Sequence, residues 1–157
     1  MTAPRAIPAR TLRAYRQTCY AVEGIAVRIG RRSAAMDGLL DRWGAREAVF
    51  ITAHNPFSRL RPPGWNRRMQ QRLAQAVRRR LVVPAVGSWR RWSEDHLLVI
   101  GDDRLSRRLM RRFHQNAIVI VRRGQPARLL LGWQNEPAGV VAAVSPSGAG
   151  RRCGRGE

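Results

Sequence analysis

Lysine is missing from the sequence altogether: all 30 basic residues are arginine, set against 10 acidic ones, for a net charge of +20. Arginine to the exclusion of lysine, with abundant Ala, Gly and Pro, fits a GC-rich genome, but that does not explain the three-to-one excess over acids. Cysteine is nearly as scarce. Cys19 and Cys153 lie far apart, which excludes a disulfide framework, and three scattered histidines add no metal-ligand spacing. No apolar run approaches the roughly 18 to 20 residues that span a bilayer. The cationic start MTAPRAIPARTLRAYRQ has no apolar segment behind it, so no secretory signal is expected. A Gly-rich phosphate loop and a G-x-S-x-G elbow are both missing, and adjacent carboxylates occur only at Glu94-Asp95 and Asp102-Asp103. These absences imply no cofactor and no metal. They leave a soluble cytoplasmic protein, not a membrane protein, as the expectation.

What is present supports one domain. A chain of 157 residues, 44% hydrophobic, can bury a real core but not two comfortable ones. Residues 1–13 carry prolines without apolar period and read as a flexible leader. Thr18 to Gly30 reads as a hairpin around Glu23-Gly24. Ser33 is a good N-cap for a helix with Met36, Leu39, Leu40 and Trp43 on one face. Ala48 to Ala53 is a continuous apolar run of strand length, which predicts a strand buried on both faces. From Arg61 to Arg80, Trp65, Met69, Leu73 and Val77 recur every four residues, as an amphipathic helix requires. LVVPAVG reads as an edge strand because of Pro84, followed by a Trp/Arg loop, SWRRWSED, and the strand HLLVIG. Asp102 caps a helix with Leu105, Leu109, Met110 and Phe113 on one face, and NAIVIVRRGQPARLLLGW closes the domain as two strands. Residues 14–134 thus form a single α/β domain (α+β as the variant), a mixed sheet with about three packed helices in the order β-β-α-β-α-β-β-α-β-β. Residues 135–157, rich in Gly, Pro and Arg, read as a disordered tail.

Candidate chemistry gathers at strand–helix junctions. Thr52, His54 and Asn55 follow the apolar run, where open α/β sheets place ligands. Asn55 precedes Pro56, which favours an extended backbone there. An Asn-Pro turn that simply terminates a strand is the alternative. Asn66 stands at the start of the next helix, near its positive end. Glu94 ends a stretch from Ala48 to Ser93 that holds ten arginines and no carboxylate. It is either a local counter-ion or a chosen polar group, and as a general base it would have to meet His54. Gln115 and Asn116 sit where the third helix turns into a strand, and they either read a ligand edge or cap the helix.

A second constellation is the pair of arginine-faced helices. Arg67, Arg68, Arg72, Arg78 and Arg79 fall opposite the apolar arc of one, and Arg104, Arg107, Arg108, Arg111 and Arg112 opposite that of the other. Pairs such as Arg104/Arg108 repel at i,i+4, a repulsion that a polyanion would relieve. The patch is continuous only if both helices cover the same side of the sheet. Trp89 and Trp92, interleaved with Arg90 and Arg91, either stack on bases or anchor a loop.

FITAHNP, then Asn66 opening NRRMQQRLAQAV, then WSEDHLLVIG, then FHQNAIVIV occur in the order and spacing of a bacterial family, the domain of unknown function 3293 family. The chain resembles it from about Tyr15 to Leu131. The resemblance implies a small single-domain cytoplasmic protein in which Thr52, Asn55, Pro56, Asn66, Glu94, Gln115 and Asn116 occupy motif positions. His54 matches a position where the family carries other residue types. The resemblance implies no reaction, and the arginine faces are not a hallmark of the family.

The expectation is therefore a domain binding a nucleotide-like or other polar ligand in a pocket of Thr52, Asn55, Asn66, Glu94, Gln115 and Asn116. The alternatives are a protein that binds nucleic-acid phosphates through Arg67, Arg68, Arg72, Arg79, Arg104, Arg107, Arg108 and Arg111, and a hydrolase or transferase with Glu94 as general base, for which no nucleophile stands out.

Overall fold

A computed structural model describes residues 6–132; the expected tail, 135–157, and residues 1–5 of the leader lie outside them. The elements are α1 (Ala9–Gln17), β1 (Cys19–Val22), β2 (Ile25–Val27), α2 (Ala34–Arg42), β3 (Glu47–Ile51), α3 (Pro63–Ala76), β4 (Val82–Trp89), β5 (Trp92–Ile100), α4 (Asp103–Arg112), β6 (Ala117–Arg122) and β7 (Arg128–Leu131). A single seven-stranded sheet in the order β2-β1-β4-β5-β3-β6-β7 carries the helices. The fold class is α/β, as its sequence pattern implies.

The pairing sense is the first departure. Every ladder is antiparallel, where a mixed sheet was expected. The crossovers β3–α3–β4 and β5–α4–β6 do join strands of like direction. In each case another strand is inserted between them, β5 in the first and β3 in the second, so like-directed strands never become neighbours. The sheet curls until the segment after β2 meets the segment before β7. Ile29 and Ala127 form an isolated parallel bridge there, held by Gly30 N–H on Ala127 O at 2.7 Å and Ala127 N–H on Arg31 O at 3.1 Å.

Alternation along the strands sorts the core into two layers. Ala48 and Phe50 of β3, Leu98 of β5, and Val119 and Val121 of β6 face the concave side, where Met36, Leu39 and Leu40 of α2 join them. Val49, Ile51, Val99, Ile118 and Ile120 face the convex side. There they meet Leu73 and Val77 of the α3 stripe and Leu105, Leu109 and Met110 of α4. β3 is thus buried on both faces. The two crossovers run in opposite senses along the sheet from oppositely directed strands, so crossovers of one hand place α3 and α4 on the same face.

Helix starts follow the capping residues read from sequence. Ser33 Oγ accepts from Met36 N–H at 3.1 Å, and Asp102 Oδ1 from Leu105 N–H at 2.9 Å. Other readings are corrected. β4 is interior rather than an edge. Pro84 is tolerated because the β1 ladder ends at Val22 opposite Ala85, so no neighbour on that side needs a proline N–H. SWRRWSED is the tip of the β4–β5 hairpin, with Trp89 paired to Trp92 across Arg90-Arg91. α3 ends at Ala76 with Val77 as its cap, which leaves Arg78 and Arg79 beyond the helix. The expected leader, residues 1–13, instead runs into a helix, Ala9–Gln17, that continues beyond it. Cys19, buried at the head of β1, is disulfide-bonded. No described helix is long and apolar enough to cross a membrane.

Candidate functional site

α2 fills one end of the concave side. At the other end, where β3 stops and β5 and β6 begin, the sheet encloses a cavity of about 430 Å³. Its walls are largely apolar and aromatic: Tyr20, Phe50, Val119 and Leu129 from the strands, and Trp89 and Trp92 from the hairpin tip. α1 lies across the opening and contributes Arg10, Thr11, Ala14 and Tyr15. Antiparallel curling, rather than an open parallel edge, has made the site, which sits where curled sheets commonly hold ligands.

Polar groups converge on this space. Of the residues expected to form a pocket, Thr52, Asn55, Glu94 and Gln115 line it, and so do His54 and His96. Asn66 does not line it. It is buried behind Asn55, with its Oδ1 accepting from Asn55 N–H at 3.0 Å and its Nδ2 donating to Asn55 Oδ1 at 3.0 Å. Asn116 stands at the rim, where its Nδ2 donates to Ser58 Oγ at 3.1 Å. Ser58 also bonds the Tyr15 hydroxyl, which pins α1 over the opening.

The turn after β3 terminates the strand and also places side chains against the cavity. Thr52 terminates the strand: its hydroxyl donates to Asp95 O at 2.7 Å and accepts from His54 N–H at 3.1 Å. Gln115 ties the turn to the α4–β6 junction, its Nε2 donating to His54 O at 3.0 Å and Phe113 O at 3.2 Å. The left-handed position ending α4 belongs to His114, φ 53°, and not to Asn116. Asn55 is the side chain turned to the site. It is not extended, as its proline neighbour led us to expect, but left-handed at φ 45°, ψ 62°. Asparagine tolerates that region. Here its side chain is fixed three ways: Nδ2 donates to Glu94 Oε1 at 2.6 Å, and Oδ1 accepts from Asn66 and from Arg61 N–H at 2.9 Å.

Glu94 is buried among apolar walls, and that desolvation pushes its pKa up to about 7; the Asn55 hydrogen bond holds it back and neighbouring Asp95 adds to the rise. Near neutral pH the carboxyl can therefore donate as well as accept a hydrogen bond. Two residues along β5, His96 is buried on the same face. Its Nδ1 bonds Glu94 O at 3.0 Å, which as a carbonyl can only accept, so Nδ1 carries the proton and Nε2 is left as a lone-pair acceptor. Burial lowers the His96 pKa to about 4 and lowers that of His54 as well. The ring stands edge-on to Tyr20 at 5.5 Å.

Sequence reasoning missed His96, Gln70 and Tyr15. The first two had a signal. Period-two spacing puts Glu94, His96 and Leu98 on one face of β5, and Asn66 and Gln70 lie on the inward arc of α3 beside Leu73 and Val77. Gln70 Oε1 accepts from Ala53 N–H at 2.9 Å and completes the end of β3. Tyr15 had none, since nothing local says where a nine-residue helix docks.

Gly87, opposite Glu94 in the β4–β5 ladder, makes room for the imidazole. A Cβ there would lie 2.8 Å from His96 Cε1. Gly87→Ala is expected to cost about 1–3 kcal/mol by overpacking and to move the His96 ring off Glu94 O. Urea unfolding and the Tyr20–His96 ring contacts by NMR check both; an unchanged midpoint would show that the ring yields freely.

Among the described residues no group of three His, Cys, Asp or Glu side chains could hold a metal ion. No curated protein and no solved structure matches the chain. One family model does match, over residues 51–118, narrower than the Tyr15–Leu131 span expected but holding Thr52, Asn55, Asn66, Glu94, Gln115 and Asn116. Over those residues the chain resembles the family described as protein of unknown function (DUF3293).

Proposed function

We propose that the cavity binds a small molecule of the nucleobase or nucleotide kind through a planar, uncharged, hydrogen-bonding ring. The observation that carries this reading is Glu94: a desolvated carboxyl held at Oε1 by Asn55, beside His96, in a space walled by Tyr20, Phe50, Trp89 and Trp92. Flat aromatic walls suit a π-face. A carboxyl near its pKa next to a lone-pair nitrogen suits the donor–acceptor edge of a heterocycle, and Arg10 at the opening suits a phosphate. Binding is favoured over covalent chemistry because the hydroxyls on either side of Asn55 are already engaged, Thr52 with Asp95 O and Ser58 with Tyr15 and Asn116. The compartment we propose is the cytoplasm, where such ligands are abundant.

The test is a thermal-shift and calorimetric screen of nucleobases, nucleosides and nucleotides. A true ligand at about a hundred times its Kd adds roughly 2.7 kcal/mol of apparent stability. Glu94→Gln should weaken it at least about tenfold, and Trp89 and Trp92 should report binding by fluorescence. No shift with any of these compounds at millimolar concentration, or equal binding by the variant, overturns the reading.

A further inference from the structure

The carboxylates of this chain are spent in particular places. Four described ion pairs join Arg32 to Asp37 at 2.7 Å, Arg122 to Glu47 at 2.7 Å, Arg123 to Asp41 at 2.5 Å and Arg128 to Asp103 at 3.1 Å. These pairs involve α2, the segment before it, β3, β6, β7, the turn between them and the first residue of α4. Even Asp103, in the first turn of α4, reaches to β7 rather than to an arginine of its own helix. On the outer arcs of α3 and α4, Arg67, Arg68, Arg72, Arg104, Arg108 and Arg111 are all exposed. None of them is in an ion pair among the described residues. Both helices pack on the convex side of the sheet over one shared core, so their arginines belong to one face of the molecule.

We propose that α3 and α4 together form an arginine face that binds the phosphodiester backbone of nucleic acid without reading sequence. At about 1.5 Å per residue the helices run about 21 and 15 Å, and Arg68/Arg72 and Arg104/Arg108 repeat the charge once per turn. Uncompensated arginines at i,i+4 repel, and a row of phosphates relieves that repulsion while matching the planar guanidinium fork. An anionic membrane would supply charge too, but a membrane-binding helix also presents large apolar side chains. The exposed large hydrophobics here are Phe57, Leu60, Leu81, Val86 and Trp92, none of which lies on α3 or α4. The face lies across the sheet from the cavity, and the two can be altered independently.

The full chain is titrated into fluorescein-labelled duplex DNA, duplex RNA and single strands of about 20 nucleotides, across about 50 to 300 mM salt. Binding to at least one of them should weaken steeply with salt. The combined variant Arg68→Glu, Arg72→Glu, Arg104→Glu, Arg108→Glu should lose about a hundredfold or more in affinity at low salt and about three to four in the log–log salt slope. A control with the same net charge, Arg13→Glu, Arg16→Glu, Arg42→Glu, Arg46→Glu, should retain most of the binding. Should the reversed variant fold poorly, the glutamine versions of the same four positions give the same comparison with a smaller loss. Absence of binding at low salt, equal loss in both variants, or binding confined to phosphatidylserine vesicles overturns the proposal.

Discussion

Replacing Glu94 by glutamine is expected to stabilise the protein by about 3 kcal/mol at about pH 8 and to change nothing below pH 4.5, because the folded state holds this carboxyl at a pKa of about 7 instead of its usual 4.5. For an acid with a raised folded pKa, the folded state binds its proton more tightly than the unfolded state does. The associated stability is complete below 4.5, is lost as pH rises to about 7, and stays lost above that. Glutamine keeps the acceptor that Asn55 Nδ2 uses and cannot ionise, so it escapes the loss. His96 acts in the opposite sense. Its folded pKa is lowered from 6.5 to about 4, so its contribution is complete above 6.5 and is lost as pH falls toward 4. In the parent protein the two slopes oppose each other between 4.5 and 6.5, and stability is nearly level there. In Glu94→Gln the histidine slope stands alone, and stability should drop by about 3 kcal/mol on acidification from 6.5 to 4. Urea midpoints measured across this range for both proteins give the difference curve directly. A flat difference would mean that Glu94 is solvated and ionised in the folded state, and the cavity reading would lose its central group.

Loss of the Asn55 side chain should be the other large effect. Three hydrogen bonds converge on it, to Glu94, Arg61 N–H and Asn66, worth about 1 kcal/mol each. A left-handed backbone adds about 1 kcal/mol for a residue less tolerant of it than asparagine. Asn55→Ala is therefore expected to cost about 4 kcal/mol and Asn55→Gly about 3, the difference isolating the backbone term. Both changes also remove the bond that restrains the Glu94 pKa, so the midpoint of the Glu94 titration should move to still higher pH. Equilibrium unfolding of the two variants at neutral pH, with carboxyl NMR of Glu94, tests each part. Equal costs for Ala and Gly would show that the left-handed turn carries no strain. Costs under about 1 kcal/mol for both would show that the network does not hold the turn.

Much of the fold was legible because it rests on local chemistry. The three-and-four spacing of α3 and α4, the caps at Ser33 and Asp102, and the doubly apolar run of β3 each follow from neighbours within a few residues. Glu94 was conspicuous for a similar reason, an acid closing a long run of arginines. The site was legible only in part. Thr52, Asn55, Glu94 and Gln115 meet around one cavity, yet Thr52 and Gln115 spend their hydrogen-bonding capacity on the chain itself. His96, one alternation from Glu94, shares its face.

The sequence by itself determined most of the segments that are helix or strand and which of their faces are apolar, because periodicity and capping act within a turn or two; α1 and the strands of the SWRRWSED hairpin tip escaped it. Only the tertiary structure decided that inserted strands make every ladder antiparallel. It also set Pro84 beside the end of a ladder instead of at a sheet edge, let Asn55 take the left-handed region, and brought Tyr15 across the cavity to Ser58. Most of these depend on hydrogen bonds between residues far apart in the chain, such as Asn55 to Glu94 and Tyr15 to Ser58, whose partners meet only once the sheet has curled.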